Sequence, residues 1–218
     1  MTTSAEGFAR IITSATEIVS KASMASGEPE LARFCERLEL LSKPRTFQVP
    51  RGSPSRLPVC RYLAETLEGA TGKVGEIAAS LRLLEPVLSF VQNPNYRRAP
   101  PTPSFLANYG YAVLAGPKDG PPALVSHPHL AFGVLLLGPR TEYPAHYHPA
   151  TELYIPLGHA DWAKGSALEC EPQWVCRGPG CVIHHPPNVV HATRTRDAPL
   201  AALYLWAGDL AIHARLAD

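Results

Sequence analysis

The spacing of apolar residues changes character at one place, the proline-rich run 93–104 (NPNYRRAPPTPS), and that change divides the 218-residue chain in two. Upstream of it, Phe8, Ile11, Ile12, Ala15, Ile18 and Val19 follow the 3-and-4 spacing of one apolar helical face. Leu31, Phe34, Cys35, Leu38 and Leu41 repeat that spacing after Pro29, a residue suited to a first helical turn. Val74, Ile77, Ala78, Leu81, Leu84, Leu88 and Val91 form a third stripe, which Pro86 should kink or end because it offers no amide hydrogen. Residues 61–67 predict a further short helix. The run itself, with Pro94, Pro100, Pro101 and Pro103, predicts a stiff connector rather than a helix. Downstream, Tyr109, Tyr111 and Val113 alternate, and 130–138, 152–158, 173–176 and 200–208 are short apolar or aromatic runs bounded by Gly, Pro or Asp. Short strands with turn signals at this spacing point to a sandwich or small barrel. The expected division is a helical part, residues 1–103, packed on a β domain, residues 104–218.

Composition narrows what such a chain does. Hydrophobic residues make up 45% and charged residues 18%, so a packed core is within reach and disorder is excluded as the main state. Twenty Lys+Arg against nineteen Asp+Glu leave a formal charge of +1, with no basic block, which argues against a nucleic-acid partner. No apolar run is long enough to cross a membrane, and the first ten residues lack the pattern of a secretory leader. Five cysteines without CxxC spacing fit a reducing cytoplasm. Cys170, Cys176 and Cys181 fall on β segments and are expected to act as small buried hydrophobes.

All nine histidines lie in the β half, and two segments there carry the chemistry. The first holds Tyr143, His146, His148, Glu152, Tyr154 and Gly158; the second runs from Gly180 through Pro186 and Asn188 to His191. Alternate residues of a strand share a face, so His146 pairs with His148 and Glu152 with Tyr154. Two imidazoles and a carboxylate suit a divalent first-row transition metal such as Fe, Mn, Co, Ni or Zn, and His191 is the candidate fourth ligand. The bland alternative is a set of structural histidines bonded to backbone carbonyls. The joint spacing HxHxxxE, then PxNxxH about forty residues on, favours the metal.

The two segments resemble the two cupin motifs. Two departures are seven residues instead of five between Gly138 and His146, and Asn188 where the second motif usually has glycine. The resemblance covers about residues 105–210 and implies a mainly β fold, a double-stranded β-helix (jelly-roll) barrel with one metal in its mouth and a helical N-terminal region. The tyrosine two positions after Glu152, the helical N-terminal part and the segment 203–209 (LYLWAGD) further resemble the cupin dimethylsulfoniopropionate lyases. Members of that family cleave the sulfonium zwitterion to dimethyl sulfide and acrylate. Carried over by position, the resemblance implies His146, His148, Glu152 and His191 as metal ligands, Tyr154 as catalytic base, and Tyr143 and Trp206 as aromatic substrate-binding residues.

That chemistry is consistent with the residue types. A base must remove a weakly acidic proton beside a carboxylate while the sulfonium leaves. A phenol at pKa ~10 becomes competent when positive charge lies beside it. For Tyr154 the alternatives are a plug in the barrel mouth or a simple metal ligand. Of His184 and His185, at most one can face the pocket, and neither is expected to; His127, His129, His159 and His213 are read as structural or surface residues. Other metal-dependent cupin activities, a dioxygenase or an isomerase, and a non-catalytic small-molecule-binding cupin stay as alternatives. For the helical part a cap, a lid and a homodimer interface all remain open.

Overall fold

A computed structural model describes residues 4–43, 46–48, 53–165 and 173–217 of the chain. The helical part contains α1 (Ser4–Ser26), α2 (Pro29–Ser42), α3 (Leu63–Thr66), α4 (Gly72–Leu84) and α5 (Pro94–Arg98). Pro29 opens α2 at its first turn, where a missing amide hydrogen costs nothing. The third stripe ends as a helix at Leu84, a 3-10 turn follows over Glu85–Val87, and Phe90–Val91 is already the first strand, β1. The connector also differs from expectation. Asn93 caps a helical turn by accepting from the Asn95 amide, and Pro94 sits at its start, so the residues that forbid a long helix here begin a short one.

The remaining strands are β2 (Tyr109–Gly116), β3 (Ala123–Ser126), β4 (Leu130–Leu137), β5 (Glu142–Tyr147), β6 (Thr151–Pro156), β7 (Ala160–Lys164), β8 (Val175–Arg177), β9 (Ile183–His185), β10 (His191–Arg194), β11 (Leu200–Ala207) and β12 (Arg215–Leu216). Among the described residues they form two sheets. One has the order β1-β2-β4-β11-β6-β9, with β3 parallel to β2; the other has the order β12-β5-β10-β7-β8. Apart from β2–β3, every pairing is antiparallel, in keeping with the jelly-roll barrel.

Alternation along β4 shows how the two parts share one sheet. Val134 and Leu136 belong to a core with Phe8, Ile11, Ile12, Phe34, Ile77 and Leu81 of the helices, whereas Leu135 and Leu137 belong to the barrel interior. Both faces of the strand are covered, and for this reason its sequence reads as an unbroken apolar run. Half of the hydrophobic residues buried in the barrel interior are aromatic: Tyr96, Phe105, Tyr109, Tyr143, Tyr154, Trp162 and Tyr204. Cys176 lies on an exposed strand and Cys181 is half-buried, so neither is the buried hydrophobe expected; Cys170 lies outside the described residues.

One glycine is fixed by this packing. A Cβ on Gly133 would lie 2.1 Å from the Ala112 carbonyl oxygen and 2.6 Å from the Tyr204 hydroxyl. Its bare backbone is what lets the Tyr204 ring lie across β4. Gly133→Ala is therefore expected to destabilise by about 1–3 kcal/mol, the usual range for overpacking a full core. A thermal melt should show the midpoint falling by roughly 2–4 °C per kcal/mol for a chain of this size; an unchanged midpoint contradicts the assignment.

Candidate active site

Two cross-strand rows, one from each sheet, meet inside the barrel. In the larger sheet, pairing aligns Trp206 with Glu152 and Glu152 with His185. In the smaller sheet, His191 pairs with His146. His148 enters from the turn that joins β5 to β6. The four motif residues His146, His148, Glu152 and His191 are each at most 2% exposed.

The ligand atoms of His148, Glu152 and His191 lie within 4.8 Å of one another and form a group that could hold a metal ion. Glu152 Oε2 is 3.0 Å from His148 Nε2 and 3.1 Å from His191 Nε2. His146 lies alongside, its ring 4.1 Å from that of His191 and stacked on Tyr143 at 3.9 Å. The backbone holds all three imidazoles in one tautomer. Nδ1 of His146, His148 and His191 faces the carbonyl of Pro144, Ala150 and Val189 respectively, at 2.8, 3.0 and 2.8 Å. A carbonyl oxygen only accepts, so each Nδ1 is the donor, and in His148 and His191 Nε2 is turned toward Glu152. His191 Nε2 is buried and has no hydrogen-bond partner. Imidazole nitrogens and a carboxylate oxygen facing one another at 3.0–3.1 Å are the donor set a divalent cation satisfies, so the residues fit the implied metal.

Asn188 explains how the second motif tolerates its departure. It adopts φ 61°, a left-handed conformation that asparagine accepts more readily than most side chains. Its amide donates to the His148 carbonyl at 2.8 Å, which ties the turn before β10 to the other ligand-bearing turn.

Of the donor cluster, Glu152 lines a cavity of about 800 Å³ together with Tyr154, Tyr111, Tyr143, Tyr204 and Trp206. Burial and the neighbouring Glu152 carboxylate hold the Tyr154 phenol well above its ordinary pKa. Trp206, expected as an aromatic surface for substrate, lines the cavity but is also tied into the donor cluster. Its indole N–H donates to Glu152 Oε1, and its ring stacks on His148 at 4.0 Å. Tyr143 likewise lines the cavity while its hydroxyl donates to Tyr96 at 3.2 Å.

Sequence comparison agrees with this geometry. A sequence model of the dimethylsulfoniopropionate lyase family matches residues 32–202, most of the chain. The chain belongs to the dimethylsulfoniopropionate lyase family. Dimethylsulfoniopropionate lyase DddQ of Ruegeria pomeroyi is 43% identical over 107 residues, 49% of each chain, so the match spans about half the length of that relative. The crystal structure of DMSP lyase DddQ from Ruegeria pomeroyi DSS-3 superposes with a TM-score of 0.64 at 25% identity, over 94% of this chain and 96% of that one. A chain from the crystal structures of the DMSP lyases RdDddP and RnDddQII gives a TM-score of 0.72 at 22% identity, covers 99% of this chain and 100% of that one, and speaks for the fold alone.

Within this DMSP lyase family member, His185 is the site residue that spacing did not reveal. It was expected to face away, yet it is 1% exposed, stacked on His191 at 4.0 Å, with Nδ1 3.5 Å from Glu152 Oε2. The available signal was its alternation with Ile183 on the strand paired with β6.

Burial, reinforced by the nearby His191, pushes His185 down to about 3, and His146 is lowered well below its ordinary value by the same two causes. Unfolded, each would take up a proton near 6.5. The stability these neutral rings contribute is therefore complete above about pH 6.5 and lost as pH falls, by up to ~1.4 kcal/mol per pH unit for each ring. For His185 the loss continues down to about 3. Glu152 adds to the loss once pH falls below about 4.5, where its unfolded counterpart takes up a proton: burial alone would raise it, but His148, His185 and His191 hold it well below 4.5. The expected result is a urea midpoint that drops from pH 7 to pH 5 in metal-free protein; a flat midpoint would show that the rings are already protonated or solvated.

Proposed function

We propose that this chain cleaves dimethylsulfoniopropionate to dimethyl sulfide and acrylate by β-elimination, with Tyr154 as base. The observation that carries the reading is the family match across residues 32–202, joined to a buried carboxylate–imidazole group whose Glu152 lines one cavity with Tyr154. A small zwitterion is the partner this chemistry requires. The reading keeps residues 1–103 as support and residues 104–218 as the part that carries the site.

When bound by His148, Glu152 and His191 with His146 alongside, a divalent transition metal would supply a Lewis acid for the substrate carboxylate and positive charge that favours the Tyr154 phenolate. Tyr154 Oη then takes the proton from the carbon next to that carboxylate. The electron pair forms the new C=C bond as the C–S bond breaks, and dimethyl sulfide leaves neutral. With that positive charge beside it the phenol would release its own proton to solvent before taking the substrate's, a loss that burial and Glu152 otherwise oppose. A sulfonium cannot donate a hydrogen bond, and Tyr111, Tyr204 and Trp206 line the cavity with aromatic faces suited to it. Each such face is worth roughly 0.5–2 kcal/mol. Tyr143 backs His146 by stacking and takes a share of the same wall.

Headspace gas chromatography tests the reaction directly, with Fe(II), Mn(II), Co(II), Ni(II) and Zn(II) supplied in turn. Tyr154→Phe is expected to retain metal and lose roughly 10²–10⁴-fold in turnover, the range for a lost general base. A near-normal rate in that variant removes Tyr154 from the role, and absence of dimethyl sulfide with every metal removes the substrate. Separately, His148→Ala and His191→Ala should each fall well below one equivalent of metal by elemental analysis, and full occupancy in both would sink the ligand assignment.

A further inference from the structure

Neighbouring histidines on β9 face opposite ways, and both are anchored. His184 turns toward the helical layer, where Nδ1 meets Glu28 at the start of α2 and the ring packs edge-on to Phe34 at 5.8 Å. Its Nε2 lies 3.0 Å from the Thr151 hydroxyl, one residue before Glu152. With His184 fixed outward, strand alternation sends His185 inward.

There His185 departs from the pattern of the other three imidazoles. Those three have Nδ1 on a carbonyl two residues away, and His148 and His191 turn Nε2 toward Glu152. In His185 it is Nδ1 that faces the site, 3.5 Å from Glu152 Oε2, and that atom has no hydrogen-bond partner. The ring lies on His191 with centroids 4.0 Å apart and planes 25° from parallel. A neutral imidazole carries one N–H, and a carboxylate oxygen that binds a cation through one lone pair keeps another for a donor. On the other side of Glu152 in the same cross-strand row, the Trp206 N–H already holds Oε1.

We propose that His185 is a positioning residue of the metal centre: it packs flat on His191 and donates from Nδ1 to Glu152 Oε2, so that His185 and Trp206 grip the carboxylate from both sides. The inference rests on the metal reading given above. His185 acts through Glu152 and His191 and does not touch the substrate. Its contribution is to stop the carboxylate from rotating away from the two imidazoles that converge with it.

The full chain is compared as wild type, His185→Phe and His185→Asn. Phenylalanine keeps the flat ring over His191 and removes the donor; asparagine places an N–H near the original Nδ1. Co(II) affinity is measured by competition with a chelating dye, the visible Co(II) absorption band reports ligand geometry, and circular dichroism reports folding. The expected result is wild type with one tight Co(II), His185→Phe weakened by roughly 10–100-fold with a shifted band, and His185→Asn restored toward wild type in both. His185→Phe with wild-type affinity and band overturns the proposal, as does a folded His185→Asn that behaves like the phenylalanine variant. If His185→Phe does not fold, the band of His185→Asn decides alone: a wild-type band supports the role and a shifted one overturns it. Wild type that binds no Co(II) overturns the metal reading itself and this inference with it, and so is distinct from failure of the variants alone.

Discussion

A carboxylate at 1% exposure is the constraint around which this barrel is organised. Burying an ionised group without compensation costs several kcal/mol even after relaxation. Glu152 meets that cost with the Trp206 N–H on one oxygen; the other faces the inward Nε2 atoms of His148 and His191, with the Tyr154 hydroxyl beside them. Each of those partners is delivered by a different piece of the chain: β11, β10, the turn before β6, and β6 itself. Removing the carboxylate would leave several polar groups facing one another in a water-poor space, so the site and the fold are not separable.

The larger sheet works as a shared wall. Its outer face is filled by the helices and its inner face by tyrosines and tryptophans, so every second residue of β4 serves a different core. Helical packing thus stiffens the strands that carry Glu152, Tyr154 and Trp206 without any helix entering the donor cluster. The short helix α5 is the exception in reach: Tyr96 from it sits behind Tyr143, and Asn93 and Asn95 both donate to the Ala214 carbonyl near the chain's end. Residues on either side of the cavity mouth are in this way tied together.

Much of this was legible before any coordinates. Apolar spacing placed α1 and α2, alternation placed β2, and short apolar runs bounded by Gly, Pro or Asp placed β4, β6 and β11, because those signals are local. The motif spacing singled out the residues that the fold gathers around Glu152. What stayed hidden depended on facing. Nothing in the His184–His185 pair says which ring turns inward; that is decided by the register of β9 on β6 and by Glu28, 156 residues away from His184. The role of Trp206 was half visible, since an aromatic residue in the cavity was expected but its bond to Glu152 requires the β11–β6 alignment. The helix at 94–98 was missed because proline breaks a helix in its interior and favours one at its start.

β9 also ends the larger sheet, and a terminal strand exposes backbone groups on which a foreign strand can add itself. Here the outer side of β9 is occupied. The Lys164 ammonium donates to the His184 carbonyl at 3.1 Å, and the Glu28 side chain covers the His184 ring. A lysine at a sheet margin is a device that discourages edge-to-edge association. At His184 the backbone carbonyl already has its donor, so an added strand would have to displace Lys164 before pairing with β9 there.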